Sequence, residues 1–341
     1  MDKRIWALTS GEAGFTSQAA GLAEAVGWPL EIKTVRLRPP WSLLPGHLCP
    51  WVLWGLREPL APHWPDLLVT CGRHSVAVSI AVRKASRGRT FTVHVQNPRV
   101  PPRFFDLVVP PRHDGMSGEN VLPTRGALHR ITPAKLEAAA TVWRERLGAP
   151  TVAVFLGGNS RVHRFTPDRA EALADGLART GGSIVVTPSR RTSATIVTLL
   201  RKRLPRAWVW DGAGDNPYLG MLALAEHLVV TEDSASMISE AASTGKPVYV
   251  AAMDGGSARF DAFHALLREE GVTRPFDGTL AFWSYEPVND TPLVAAEIRR
   301  RIGRTWSAAS VEPGHRPLTD GRSIGSRARG GDHVDRKPWR G

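Results

Sequence analysis

The sequence predicts an α/β protein built from two doubly wound domains that face one another across a cleft, and three observations carry that prediction. Short apolar segments of strand length alternate with amphipathic helical segments through both halves of the 341 residues. The chain is long enough for two ordinary cores, with 42% hydrophobic and 22% charged residues. Between the halves, Thr132 caps a helix that begins at Pro133, and Gly148-Ala149-Pro150 breaks it.

The first half reads as strand 4–8, a loop through Thr9-Ser10-Gly11-Glu12-Ala13-Gly14, helix 17–26 and strand 30–35. Ala19, Leu22, Ala23 and Val26 recur on one face of that helix. Strand 66–70, helix 75–85, strand 90–95 and a short apolar strand 105–109 continue the alternation, which implies parallel pairing with right-handed crossovers. The segment 39–65 interrupts it with Trp41, Trp51, Trp54 and Trp64 set among leucines and prolines. Tryptophan favours places where its ring is apolar and its N–H stays wet. The segment therefore reads either as a surface for a membrane or protein partner, or as a lid packed on its own domain.

The second half reads as strand 151–156, a helix capped by Thr166 and running to 179, strand 183–187, helix 192–203 and strand 208–211. Helix 217–225, strand 227–230, helix 234–244, strand 247–251, helix 258–270 and a last helix from Thr291 to 302 complete it. The expected division is a first domain at 1–132, a connecting helix and linker at 133–150, and a second domain at 151–304 whose last helix packs back on the first. A basic tail follows at 305–341. From 310 onward seven Lys or Arg face four Asp or Glu with almost no apolar residue, so the tail is expected to be disordered, as an electrostatic tether or a dispensable end.

The net charge of +12 attracts phosphate, whether on nucleotides, nucleic acid or acidic lipid. No aromatic residues interleave the arginines, so no nucleic-acid partner is expected. Cys49 and Cys71, the two cysteines, form no CxxC pair, which excludes a disulfide framework and a cysteine zinc site. The histidines lack HxxxH or HExxH spacing, and no metal is expected. Neither GxGxxG nor Gly-Lys-Ser/Thr occurs, and Gly321-Arg322-Ser323-Ile324-Gly325 lies in the basic tail with no apolar strand before it, so no GxSxG nucleophile elbow is read. This argues against a dehydrogenase, a P-loop nucleotidase and an α/β-hydrolase, and no cofactor is expected. The start reads as no signal peptide and no apolar run reaches 18 residues, so the expected location is cytoplasmic, peripheral at the inner face of the membrane.

Ligands of open parallel sheets bind at the carboxyl ends of the strands, so the loops that follow strands carry the chemistry. In the first half these offer Ser10, Gly11, Gly14 and Gln18, then Gly72 and Arg73, then Gln96 and Asn97. In the second half they offer Gly157, Gly158, Asn159 and Ser160, then Ser189, Arg190, Arg191 and Thr192, then Thr231, Asp233, Ser234, Ser236 and Glu240. Glycine amides, hydroxyls, guanidiniums and helix starts converge on negative charge, and Glu240 is placed to accept from ribose hydroxyls. Each loop alone reads equally as a turn or a capped helix; three successive strand ends of this composition favour a diphosphate site.

These residues resemble a known family. Ser10-Gly11, Gly14, Gln18, Gly21-Leu22-Ala23, Gly72-Arg73, Gln96-Asn97-Pro98, Gly157-Gly158, Ser189-Arg190-Arg191-Thr192, Asn216-Pro217-Tyr218 and the block from Thr231 to Pro247 are similar to the mitochondrial-fission "elongated mitochondria" family, over about residues 5–302. That family is similar in turn to GT-B glycosyltransferases. The resemblance implies two Rossmann-like domains, a nucleoside-diphosphate sugar on the second and an acceptor, membrane-associated, on the first. It implies metal-independent inverting transfer, or, as the alternative, a non-catalytic adaptor that recruits a protein partner to a membrane surface. Relatives place a histidine base after the first-loop glycine, where this chain has Phe15; Glu12 is the nearest substitute.

Overall fold

The computed structural model describes residues 3–44, 48–60 and 62–309; the expected tail from 310 onward lies outside the described residues. The compact unit is Met1–Ile302. Its first half contains β1 (Ile5–Thr9), α1 (Ala13–Val26), β2 (Leu30–Thr34), β3 (Leu67–Cys71), α2 (Arg73–Ala85), β4 (Phe91–Val95) and β5 (Leu107–Val109). All five strands are parallel, in the order β2-β1-β3-β4-β5. Apart from the edge strand β2 they are buried along their length, as a parallel sheet covered on both faces requires.

The second half runs α3 (Pro133–Leu147), β6 (Val152–Leu156), β7 (His163–Arg164), α4 (Pro167–Arg179), β8 (Ile184–Pro188), α5 (Ala194–Arg203) and β9 (Trp208–Val209). It continues with α6 (Tyr218–Leu224), β10 (His227–Thr231), α7 (Ala235–Ala242), β11 (Val248–Ala251), β12 (Asp254–Gly255), α8 (Ala258–Glu269), β13 (Thr273–Pro275) and α9 (Thr291–Ala309). Its parallel sheet has the order β13-β11-β10-β6-β8-β9. Alternation along β6 divides the core: Val152, Val154 and Leu156 pack with Leu173 and Leu177 of α4, while Ala153 and Phe155 pack with α6 and α7. The fold is thus two Rossmann-like halves.

In each sheet the strand order reverses beside the first strand: between β1 and β3, and between β6 and β10. Two loops that leave neighbouring strand ends in opposite directions open a crevice there.

Several expectations are corrected. Helix α1 begins at Ala13 rather than 17, because Glu12 holds extended backbone and its carbonyl already accepts the Thr16 N–H at 2.9 Å. Gly14 and Phe15 therefore sit on the helix, not in a loop. Helix α2 likewise starts at Arg73, directly after Gly72. The antiparallel β7–β12 pair and β13 are too short for periodicity to reveal. The last helix runs to Ala309, past its expected end at 302 and into the expected tail; no proline interrupts it before Pro313.

The described residues of segment 39–65 lie over the first sheet. Val52 and Leu56 are buried with Trp6 and Leu8 of β1, and Trp41 and Trp64 pack against the same cluster. Leu43, Leu48, Trp51 and Trp54 remain exposed. The halves are joined by Arg125 and Arg112, which both reach Glu270, by Arg259 on Asp114, and by the Ala127 amide on Ser239 Oγ at 2.8 Å. Arg299 of α9 donates to the Ala25 carbonyl at the end of α1, 2.8 Å away. No helix among the described residues is long and apolar enough to cross a membrane.

Candidate functional site

The second-half wall is a closed polar network centred on Asp233. Gly157 and Gly158 follow β6, and their amides donate to Thr231 Oγ1 (2.6 Å) and Asp233 Oδ2 (3.1 Å). The Thr231 hydroxyl donates to Asp233 Oδ1 at 2.7 Å, and Arg191 pairs with Oδ2 at 2.7 Å. The Gly157 carbonyl accepts from Ser189 Oγ at 3.0 Å and from the Thr192 hydroxyl; the Gly158 carbonyl accepts from Arg191 at 3.2 Å. The Asp233 side chain is fully buried, and a buried carboxylate is tolerable only with such complete pairing.

Space fixes the glycines too. A Cβ on Gly157 would lie 2.1 Å from Asp233 Oδ1, and one on Gly158 would lie 2.0 Å from the Arg191 carbonyl oxygen. The three strand-end loops are stapled together by a carboxylate that the chain itself supplies.

This corrects the expected direct contact of the Gly157 and Gly158 amides with a diphosphate. Thr231, Asp233, Ser189, Arg191 and Thr192 also face one another. Asn159 and Ser160 serve the following turn: Asn159 Oδ1 accepts from the Phe165 amide (2.9 Å), and Ser160 Oγ from the Val162 and His163 amides (3.3 and 3.0 Å). Ser234 caps α7 by accepting from the Met237 amide at 3.3 Å. Arg190 is exposed and unpaired among the described residues, and the first-turn amides of Ala235 and Ser236 have no acceptor within the helix. Ser236 is half-buried beside Gly14; a Cβ on that glycine would lie 3.0 Å from Ser236 Oγ.

One turn beyond, Glu240 sits between the halves. Its carboxylate accepts from Ser17 Oγ on α1 (3.0 Å) and from the Tyr218 hydroxyl on α6 (2.5 Å). Burial pushes the Glu240 carboxyl above its usual range, against the lowering by these two donors. Burial also holds Tyr218 as the neutral phenol, which keeps its proton to donate. Sequence reasoning gave neither Ser17 nor Tyr218 a role, although Asn216-Pro217-Tyr218 was part of the family resemblance.

The first-half wall is looser. Ser10 donates to Glu12, and the Gly11 amide to Thr9 Oγ1 at 3.2 Å. Glu12 occupies the cap position of α1 without a capping bond from its side chain, and it is exposed. Gln18 is buried and accepts from Gln96 Nε2 at 3.2 Å; Asn97 Oδ1 holds the Arg99 amide at 2.9 Å. Beneath Gln18 lies Cys71, whose thiol burial pushes up and makes inert. The Phe15 ring packs over Gly72, whose φ of +92° and missing Cβ admit it. Arg73 is exposed and unpaired among the described residues. The structure thus brings Gly14 and Ser17 of α1 to Ser236 and Glu240, keeps Gln18 inside the first half against Gln96 and Cys71, and leaves Asn159, Ser160 and Asn97 in turns.

The fold has solved counterparts. An S. aureus MnaA–UDP co-structure aligns over 91% of this chain and 99% of its own, with TM-score 0.53 and 13% identity. A UDP-GlcNAc 2-epimerase from Methanocaldococcus jannaschii aligns over 89% and 100%, with TM-score 0.51 and 12% identity. At such identity the likeness is one of fold, the GT-B arrangement of two Rossmann-like halves. In sequence, the chain is 36% identical over 282 residues to an Arabidopsis thaliana protein named mitochondrial fission protein ELM1, covering 72% of this chain and 66% of that one. It is 26% identical to an uncharacterized protein of Rickettsia prowazekii, over 86% of this chain and 97% of the other. The profile of the family described as Mitochondrial fission ELM1 matches residues 13–302, and the chain belongs to that family.

Proposed function

We propose that the crevice between the halves binds a nucleoside diphosphate, as part of a nucleotide sugar. The observation that carries this reading is the start of α7. Its Ala235 and Ser236 amides have no acceptor within the helix, Asp233 and Ser234 hold its start in place at the reversal of strand order, and Arg190, in the loop after β8, is unpaired among the described residues. A helix start of this kind favours a phosphate. Glu240 lies one turn further in and carries the acceptor oxygens that ribose hydroxyls require, once Ser17 releases it. Two solved structures with this fold, MnaA and the Oryza sativa protein Os79, are described with UDP, which supports the same ligand class here.

Titration calorimetry with UDP, GDP and their sugars tests the reading. Binding that weakens about tenfold in Arg190→Ala supports it; no heat with any of them at millimolar concentration overturns it. Glycosyl transfer is a further step of the same reading, inverting and metal-independent, to a membrane-associated acceptor. Arg190 and the helix amides would stabilise the leaving diphosphate. Glu12 is the carboxylate nearest the place of a base, since Phe15 carries no transferable proton.

A non-catalytic adaptor is the second reading. Phe15 over Gly72 favours it, because an aromatic ring fills the place where proton transfer would occur. The name of the Arabidopsis relative agrees with it. Binding of a nucleotide sugar without turnover, for every acceptor tried, would select this reading.

A further inference from the structure

The exposed face of segment 39–65 is the feature that the crevice does not explain. Trp54 is 84% exposed, Trp51 78%, Leu43 75% and Leu48 59%. Large apolar side chains are seldom so exposed in one short stretch unless something covers them. Trp51 is also held at φ +46°, in the left-handed region that bulky residues avoid. The opposite face of the same stretch is anchored: Val52 and Leu56 are buried, and the Trp41 indole donates to the Pro50 carbonyl at 2.8 Å. The exposed tips therefore sit on a fixed base.

Charge says what covers them. Leu37 and Leu56 form an antiparallel bridge, flanked by Arg57 N–H to Arg36 O (2.9 Å) and Arg38 N–H to Gly55 O (2.8 Å). Leu37 and Leu56 face the core, so pleat alternation sends Arg36, Arg38 and Arg57 outward, and all three are exposed. Trp41 and Leu44 pack beside Arg73 and His74 at the start of α2, which brings a fourth exposed arginine to the same edge. None of the four arginines pairs with a carboxylate among the described residues. The acids nearest in sequence are Glu31, which is engaged by Lys33, Glu58, and Asp66, which accepts from the Arg4 amide.

We propose that this face seats the protein on an anionic lipid bilayer, with Trp51, Trp54, Leu43 and Leu48 in the interfacial layer and the arginines on lipid phosphates. Indoles prefer that layer, and cations around an apolar centre gain from a negative surface. A protein partner would need a groove to receive separate protruding tips, whereas a bilayer accepts them without a shape match. The edge lies at the carboxyl end of β3, so a seated molecule presents the mouth of its crevice to the membrane plane.

Co-sedimentation of the full chain with vesicles tests this, using pure phosphatidylcholine and a mixture containing roughly one-third phosphatidylglycerol. The expected result is binding to the anionic vesicles that weakens as salt rises, and a loss of about tenfold in partition for W51S/W54S. That variant keeps its melting temperature, because both indoles are exposed. R36E/R38E is expected to lose the preference for phosphatidylglycerol. Three outcomes overturn the proposal: the parent chain binds neither vesicle; W51S/W54S binds as well as the parent, which would assign binding to other basic residues; or W51S/W54S loses only self-association in sedimentation velocity, which would assign the face to a protein contact.

Discussion

The loop after β6 and the loop after β1 hold the same place in their sheets, beside the strand where order reverses, yet they are built on opposite plans. After β6, the amides and carbonyls of both glycines are matched by side chains from two other strand ends, around the carboxylate of Asp233. After β1, Ser10 donates to Glu12 and the Gly11 amide to the Thr9 hydroxyl, all within the loop and the strand end before it, and the Phe15 ring packs over Gly72. The difference is an internal anion. A loop that carries its own negative charge is ordered before any ligand arrives, and the helix start behind it is preorganised. The first loop has no such centre. One wall is ordered around a buried carboxylate, and the other carries its carboxylate, Glu12, exposed at the helix cap.

The sharpest way to break that contrast is to remove the anion. Asp233→Ala strands the Gly158 amide and the Arg191 guanidinium, and is expected to cost about 3–5 kcal/mol in urea unfolding. A loss below about 1 kcal/mol would mean that the network is not what orders the wall.

Acid probes the first sheet. His94 is fully buried beside Thr70 Oγ1 (2.9 Å), and burial lowers its pKa from 6.5 to about 3. Its folded pKa lies below its unfolded one, so the unfolded chain binds more protons between the two values and stability falls as pH drops below about 6.5. From His94 alone the loss reaches about 3 kcal/mol near pH 4.5. Burial lowers His113, His129 and His264 as well, which adds in the same sense. Glu240, with its raised pKa, acts in the opposite sense as it takes up a proton on acidification. Unfolding at stepped pH checks the sum, and His94→Gln should flatten the profile.

Paired glycine substitutions sharpen the comparison further. Gly158→Ala drives a Cβ onto a backbone oxygen and should cost about 2–3 kcal/mol. Gly14→Ala meets only the Ser236 hydroxyl, which can rotate away, and gains helix propensity of up to about 1 kcal/mol. Equal losses in thermal melts would remove the distinction between the walls. Tyr218→Phe is expected to cost about 1–2 kcal/mol in the same melts, since it withdraws one donor from Glu240 and leaves Ser17 in place.

Much of the fold was legible because apolar runs of strand length and capped helices are local properties. Thr132 and Thr166 cap α3 and α4 as their sequence contexts predict. The starts of α1 and α2 were not legible: Gly14 and Arg73 read as loop residues until the backbone around them is known. Nor was the partnership within the second wall. Gly158 and Asp233 are 75 residues apart, and a glycine amide, a hydroxyl and a guanidinium look alike in sequence whether they meet a phosphate or one another. Short pairings such as β7–β12 exist only through their neighbours.

The link from Ser17 through Glu240 to Tyr218 has a thermodynamic consequence. Glu240 lends one oxygen to Ser17 on the helix of the opposite half, and on the proposed reading a sugar hydroxyl competes with Ser17 for that oxygen. Closure of the two halves through Ser17 and occupancy at Glu240 are therefore competing equilibria drawing on one acceptor. On that reading, linkage makes whatever loosens the Ser17 contact raise affinity at Glu240, and a bound ribose weakens the Ser17 contact by the same factor. Ser17→Ala should then tighten nucleotide binding without touching the nucleotide, because it removes the competitor.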